Sequence, residues 1–295
     1  MADRKLGLVV LNYNNYSETI TFLNKISNYS VISEIVVVDN CSTNESFDVL
    51  LTYATDKVYI IQSKKNGGYG YGNNIGIKYG IKHFNWNFVI ISNPDVFFEE
   101  KTIDSLLECF DSMNRLKVGL IAPKMVMPQK STGVLTHWKL PTYKDDFLKS
   151  FFIINALYRK FKRKERSQLE VYQHVDVLPG SFLFSSIEAL QDVEFFSEKT
   201  FLYCEERILT KKLMDKGYQN ILLTNDSYLH SHSTTISKYN SKISQFKIYN
   251  QSILVYHRYY AGTSKLKVFL LSLALSVGLL GKRILFKIDS LRRRK

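Results

Sequence analysis

The sequence predicts an α/β fold built on a largely parallel sheet. Short β-branched runs alternate with amphipathic segments through the first half of the chain, the pattern of strand-helix-strand units. A length of 295 residues, 45% apolar and 23% charged, provides for one sizeable globular core with an appendage. The clearest amphipathic segment sets Ile103, Leu106, Leu107, Phe110 and Met113 on one stripe at helical spacing.

In chain order, strands are expected at Lys5–Leu11, Glu34–Asp39, Lys57–Gln62, Phe88–Ser92 and Val118–Ile121, with helices between them. Thr102 reads as the N-cap of the helix that carries the Ile103 stripe. After Pro141 the pattern loosens. Phe147–Arg166 mixes aromatic and aliphatic residues with lysines and arginines, which suits an amphipathic interfacial helix or a loop. Strand-like runs return at His174–Leu178, Phe182–Phe184 and Ile221–Thr224, and a helix from Glu205 to Lys216 meets Gly217, a residue suited to a C-cap.

The tail holds 14 residues without a charge, Val268–Gly281, with Lys265 and Lys267 before them and Lys282 and Arg283 after. Crossing a bilayer takes about 20 apolar residues, so the run is short for a span. An interfacial helix, held by apolar burial and by basic residues at anionic headgroups, is expected; hairpin insertion and a buried or oligomer-forming helix are the alternatives. The expected organisation is a main domain over residues 1–237 and a helical membrane-associating region over 238–295.

The formal charge of +13 is concentrated rather than spread. Arg159–Arg166 carries six positive residues against Glu165, and Lys282–Lys295 seven against Asp289, so two short segments hold eleven of the thirteen excess charges. Such surfaces attract anionic lipid or nucleic acid. Single-strand binders interleave basic and aromatic residues along a groove, whereas most of the 19 Tyr, 19 Phe and 2 Trp here lie outside both basic clusters. No nucleic-acid partner is therefore expected. Cys41, Cys109 and Cys204 have neither metal-ligand nor redox spacing, which fits a reducing compartment. The apolar run Leu6–Leu11 meets Asn12 before a signal-peptide core could form, so secretion is not expected.

Ligands of open α/β sheets bind beyond the carboxyl ends of the strands, and four strand ends carry suitable residues. The first runs into Asn12, Tyr13 and Asn14. The second ends at Asp39 and Asn40, where a carboxylate can accept hydrogen bonds from a base or ribose, or where both residues simply turn the chain and cap the next helix. The third leads into a glycine-dense stretch, Asn66 to Gly76, that opens a helix and lets backbone approach a phosphate. A dinucleotide fingerprint does not fit there, because the stretch follows the third strand rather than the first and no acidic residue ends the next strand at the usual distance. The fourth ends in Asn93-Pro94-Asp95, a rigid turn whose carboxylate suits a hard divalent cation, or an ordinary turn. Later, Glu205 and Glu206 follow an aromatic run at a helix N-terminus. They either complement the helix dipole or are buried enough for one to act as a general base. His230 and His232 follow as structural histidines or as a metal ligand.

Taken together and in this order, the motifs resemble the family 2 glycosyltransferases of GT-A fold, especially the bacterial branch that contains rhamnosyltransferases and other polysaccharide-building enzymes. The resemblance runs from Lys5 to Ser237. It implies a GT-A domain with a mostly parallel central sheet flanked by helices, followed by a C-terminal amphipathic, apolar helical extension. Asp39 would contact the donor base, with Asn12 and Asn14 beside it, and Asn66, Gly68, Asn74 and Asn93 would face the donor. Asp95 would be the main carboxylate of a Mn2+ or Mg2+ site and His230 a further ligand, with His232 competing. Pro179, Gly180 and Ser181 resemble the small-residue turn on the acceptor side. Glu205 and Glu206 correspond to the family's acidic pair, usually Glu-Asp, whose second member is the base.

The implied reaction is inverting transfer of a hexose from dTDP-rhamnose or a UDP-sugar to a growing, lipid-linked cell-surface polysaccharide. The enzyme would be peripheral or monotopic at the inner face of the bacterial cell membrane, and a homo-oligomer is compatible with this. The alternative is a catalytically silent relative that binds a nucleotide sugar and serves as a partner or scaffold, since neither Asn93 nor Glu206 is the commonest residue at its position.

Overall fold

The computed structural model describes residues 4–113, 115–128, 134–151, 171–231 and 241–292. His232 and residues 152–166 of the basic segment lie outside the described residues.

The expected α/β architecture is present. The elements are β1 (Leu6–Asn12), α1 (Tyr16–Ile26), β2 (Glu34–Asp39), α2 (Ser46–Leu51), β3 (Val58–Gln62), α3 (Tyr69–Phe84), β4 (Phe88–Ser92), β5 (Val96–Phe97), α4 (Glu100–Ser112) and β6 (Val118–Val126). There follow α5 (Tyr143–Ser150), β7 (Tyr172–Val175), β8 (Phe182–Ser186), α6 (Ile187–Asp192), α7 (Glu205–Asp215), β9 (Gln219–His230), α8 (Lys242–Tyr259) and α9 (Lys265–Arg292). One sheet has the order β3-β2-β1-β4-β8-β6-β9-β5, with β7 also paired to β9. Strands β3, β2, β1 and β4 run parallel, as do β6 and β9, while β5, β7 and β8 pair antiparallel.

Period-2 alternation along the strands divides the core in two. Leu6, Leu8, Val10, Ile35, Val37, Phe182 and Phe184 enter a cluster with α1 and α4. Val9, Val36, Val38, Val89, Ile91 and Leu183 enter the other, with Ile77 of α3 and Leu209 of α7. Both faces of the parallel strands are thus covered, which is why these strands read as unbroken apolar runs.

Helix α3 lies unusually close to the sheet. Gly70, Gly72 and Gly76 of the glycine-dense stretch stand inside this helix, and a Cβ on Gly76 would come within 2.6 Å of Val9 Cγ1 and 2.9 Å of Val38 Cγ2. Trp86 fills the gap between Gly7 and Gly80, and its indole Nε1 donates to Glu34 Oε2 at 2.7 Å.

Several boundaries differ from expectation. Thr102 is not the cap of α4: that helix begins at Glu100, and the buried Thr102 hydroxyl donates to Asp226 Oδ1 at 3.2 Å. Strand β9 continues past Thr224 to His230 because the polar residues there form a bulge; pairing with β6 jumps from Pro123 opposite Leu223 to Lys124 opposite Ser227. Helix α7 ends as expected before a left-handed Gly217, with φ at +81°.

The chain divides into two compact units. One comprises Met1–Lys139, Leu169–Phe201 and Glu205–Ser233; the other comprises Leu140–Gln168, Leu202–Cys204 and Thr234–Lys295. The second has its own small core of Cys204, Ile253, Leu271 and Leu275. Buried in it, His257 bonds Asp146 through Nε2 (2.8 Å) and Thr263 through Nδ1 (2.9 Å). Its helix α9 runs unbroken for 28 residues, beyond the 14-residue uncharged run, because Ile284, Leu285 and Phe286 carry the apolar pattern past Lys282 and Arg283. Contrary to the estimate from the short run, Lys265–Lys287 is long and apolar enough to cross a membrane, with mean hydropathy 1.8.

The packing of α3 gives a paired expectation. Gly76→Ala should destabilise the chain by about 1–3 kcal/mol through overpacking. Gly281→Ala, at a helical position with nothing within 4 Å of the new methyl, should stabilise α9 by about 0.5–1 kcal/mol. Urea unfolding of the two variants checks both signs.

Candidate functional site

The carboxyl ends of β1, β2 and β4 supply the first part of the site. Asp39, the last residue of β2, is fully buried, and its carboxylate accepts from Asn12 Nδ2 (2.8 Å), the Ser42 amide (2.8 Å), Ser42 Oγ (2.6 Å) and Gln62 Nε2 (3.4 Å). Asn12 is held in turn by the Thr19 hydroxyl at 2.9 Å. Asn14 reaches the same loop, with its amide N–H on Ser42 Oγ and its side chain paired to Thr43. Asn14 and Cys41 both adopt left-handed backbone, at φ 53° and 58°. Non-glycine residues in this region carry a strain of about 1–3 kcal/mol and concentrate at functional loops.

Asn40 connects these strand ends to the glycine-rich stretch. Its amide donates to Asn66 Oδ1 (3.0 Å) and to the Gly68 carbonyl (3.2 Å). Gly68 has φ +91°, and its hydrogen faces the Phe201 carbonyl, which a Cβ would meet at 2.0 Å. The next amide, of Tyr69, donates to that same carbonyl at 3.0 Å. Asn74 also turns to protein: it donates to the Phe196 carbonyl and Glu198 Oε1 and accepts from the Phe196 amide. The small residues here therefore bring segment 196–201 against the start of α3.

The second part gathers around Gly180 and Ser181. Asp95 Oδ2 and His230 Nε2 are 3.2 Å apart, both side chains nearly buried, because β5 pairs with the end of β9 and sets Val96 opposite His230. Ser231 donates to the Asp95 carbonyl through its amide and its hydroxyl. The Asn93 amide donates to the Ser181 carbonyl at 2.9 Å, and Ser181 Oγ meets Tyr228 Oη at 2.8 Å. Tyr69 Oη donates to the Gly180 carbonyl at 2.6 Å. On the open side of Gly180, the position of a Cβ lies 3.8 Å from Glu206 Oε2. Glu206 thus borders Gly180, while Ser181 is bonded to Asn93 and Tyr228, each two residues before a member of the Asp95–His230 pair.

Glu205 and Glu206 begin α7 after two left-handed residues, Tyr203 (φ 71°) and Cys204 (φ 67°). The helix N-terminus favours their ionised forms, but burial outweighs it. Desolvation first, and the neighbouring Glu206 charge second, push the Glu205 carboxyl well above the usual range. Desolvation does the same to Glu206, against the lowering influence of its own amide and of Arg207. The two titrate as a pair. Glu205 is sealed at 4% exposure, with no hydrogen-bond partner for Oε1 among the described residues, whereas Glu206 reaches the surface. Burial, and then the fields of both carboxylates, keep the Tyr69 hydroxyl protonated as a donor.

Among the described residues, hydrogen bonds run from Asn12, Asn14 and Asp39 through Asn40 to Asn66 and Gly68, and from Tyr69 through Gly180 and Ser181 to Asn93; Asp95 pairs with His230, and Glu206 stands beside Gly180. Tyr228 joins these contacts through Ser181. Tyr228 could have been found, since it stands two positions before His230 and shares its face of a strand. Tyr69 carries no such signal.

The sequence profile described as glycosyl transferase family 2 matches residues 8–176, more than half of the chain. This chain belongs to glycosyl transferase family 2. The family match covers the strand ends from Asn12 to Asp95, while Gly180, Ser181, the glutamate pair and His230 lie beyond it. Among family relatives, the low-salt glycan biosynthesis hexosyltransferase Agl10 of Haloferax volcanii is 27% identical over 201 residues, 68% of this chain. The chain spans about three fifths (59%) of that relative's length. The GT-A fold is shared with Staphylococcus aureus TarS in complex with UDP-GlcNAc, at TM-score 0.56 and 16% identity over 92% of this chain and 71% of TarS. It is also shared with the mannosyltransferase PcManGT of Pyrobaculum calidifontis in complex with GDP-Man and Mn2+, at TM-score 0.58 and 12% identity over 94% and 74%.

The acid pair makes stability depend on pH with a definite sign. The folded chain holds a proton that the unfolded chain releases near 4.5, so stability should fall as pH rises from about 4.5 until the pair is fully ionised. Glu205→Gln should flatten that slope, which approaches about 1.4 kcal/mol per pH unit per retained proton. Urea unfolding at a series of pH values measures it.

Proposed function

We propose that this chain is an inverting, metal-dependent hexosyltransferase that moves a sugar from a nucleotide diphosphate donor, dTDP-rhamnose or a UDP-sugar, to a growing, lipid-linked polysaccharide at the inner face of the cell membrane. The observation that carries the reading is the Gly180–Ser181 turn, with Glu206 beside Gly180 and with Ser181 bonded to Asn93 and Tyr228, which lead to the paired Asp95 and His230. Family membership, a hexosyltransferase relative, and nucleotide-sugar complexes of proteins that share the fold support the reaction class.

The Asp95–His230 pair fits a divalent ion. Adjacent ligands on an octahedral ion with bonds of about 2.1 Å stand about 3.0 Å apart, close to the 3.2 Å between Oδ2 and Nε2. Asp95 and His230 are the residues that would hold the ion. A bound Mn2+ or Mg2+ supplies positive charge to the departing diphosphate.

Glu206 is read as the base because it is the member of the pair that reaches solvent and borders Gly180. Its carboxylate removes the proton of the acceptor hydroxyl; the hydroxyl oxygen bonds to the anomeric carbon as the carbon–phosphate oxygen bond opposite it breaks, so the configuration inverts. Glu205, sealed behind it, raises the basicity of the pair. Gly180 leaves the acceptor sugar room beside the base, and the Tyr69 bond to its carbonyl fixes that edge. On the donor side, Asn12, Asn14, Asn66, Gly68 and Asn93 shape the strand-end loops, and Asn74 steadies segment 196–198. For Asp39 to contact the base directly, one of its four donors must yield, and Gln62 at 3.4 Å is the longest.

Glu206→Gln should lower kcat for transfer by about 10²–10⁴-fold with donor binding intact. Asp95→Ala should abolish the stimulation of turnover by Mn2+ or Mg2+. A donor panel assayed with metal or with chelator, beside thermal-shift titration of each nucleotide sugar, tests both; full turnover in chelator, or by Glu206→Gln, overturns the assignment. Nucleotide-sugar binding without turnover would identify a silent relative. Gly180→Ala meets only an ordinary contact and should fold normally, yet lose about tenfold to a hundredfold in kcat/KM as its methyl fills the space beside Glu206.

A further inference from the structure

Helices α8 and α9 contain nine lysines and arginines and one acid, Asp289. They pack through Ile253, Leu271 and Leu275, and Asn250 Nδ2 donates to the Leu275 carbonyl at 3.3 Å. Away from that contact, Leu266, Leu270, Leu273, Val277, Leu280 and Ile284 are 43–67% exposed at alternating steps of four and three, which makes one continuous apolar stripe along α9. Beside it, between the two helices, a cavity of about 200 Å³ is open on one side and lined by Lys247, Asn250, Gln251, Ser272 and Ser276 with three leucines. The serine hydroxyls are spent on carbonyls of their own helix, Ser272 on Phe269 and Ser276 on Ser272. Lys247 and Gln251 add an ammonium and an amide to the lining, and α8 has no acid. Towards the same end, Lys282 sits 3.2 Å over the Phe246 ring and Lys242 5.9 Å over Phe286.

We infer that the furrow between α8 and α9 holds the phosphate of a membrane lipid, met by Lys247 and Gln251, while the apolar stripe of α9 lies among the acyl chains. A lipid meets both requirements at once, since it presents an anionic phosphate within a few ångströms of hydrocarbon. A second copy of this chain does not, because its own α8 and α9 carry nine lysines and arginines against one acid and would repel these helices. This site rests on the reading that the chain works at a membrane, and it adds a named lipid contact to it.

The test is co-sedimentation of the full chain with vesicles of phosphatidylcholine alone or doped with phosphatidic acid. The wild type should partition to the doped vesicles. Lys247→Glu should weaken that partitioning about tenfold, whereas Lys82→Glu, the same charge change on α3, should alter it little. Donor binding by Lys247→Glu, equal to wild type, shows that the variant is folded. Equal losses in both variants overturn the furrow site and leave the membrane reading standing; no partitioning by the wild type overturns both. Inorganic phosphate at matched ionic strength should leave binding unchanged, and displacement by it would make free phosphate the ligand and sink the proposal. Vesicle-free self-association that is lost in Leu273→Glu would assign the stripe to a second copy instead.

Discussion

The close seating of α3 on the parallel strands governs the rest of the site. With no side chain at Gly72 or Gly76, the helix rests directly on Leu11, Val9 and Val38. Its first residue, Tyr69, is then delivered to the Gly180 carbonyl, and Asn74, little more than a turn later, to the backbone of Phe196. Segment 196–201 leads into the glutamate pair, so the register of one helix on one sheet sets positions on both sides of the Gly180 turn. The energetic basis is packing rather than polarity: each extra methyl at this contact displaces atoms that have nowhere to go.

Two electrostatic effects oppose each other at the start of α7. Helix N-terminal amides favour carboxylates by fractions of a kcal/mol when exposed, whereas loss of hydration penalises a buried charge by more. The upward displacement of both glutamates shows that dehydration prevails. Asp39 is a fully buried carboxylate of another kind. Four donors bond it, and it serves as a hub for the loops after β1 and β2.

Much of this was legible in the residues. Strands β1 to β4 announce themselves because both their faces are covered, and the polar residues at their ends mark where the site must lie. The Glu205–Glu206 pair and His230 stand out by residue type. What the sequence hides is set by contacts between distant segments. A two-residue strand such as β5 has no pattern to read, yet it brings Asp95 to His230. The bulge in β9 places Thr224-Asn225-Asp226, residues typical of turns, inside a strand. The glycine stretch after Asn66 does not reveal that Gly68 faces the Phe201 carbonyl and Gly76 the valines of β1 and β2. In α9 the uncharged run understated the helix, because lysine and arginine stems continue a helical face as well as apolar residues do.

Trp86 and Trp138 are the two tryptophans of the chain. The first is sealed between Gly7 and Gly80 and bonded to Glu34, whereas the second stands half-buried at an isolated bridge to Val177. The emission of this pair is therefore a built-in optical gauge. Any loosening of α3 from the sheet admits water to the indole of Trp86 and moves its fluorescence to longer wavelength, before the rest of the molecule has opened.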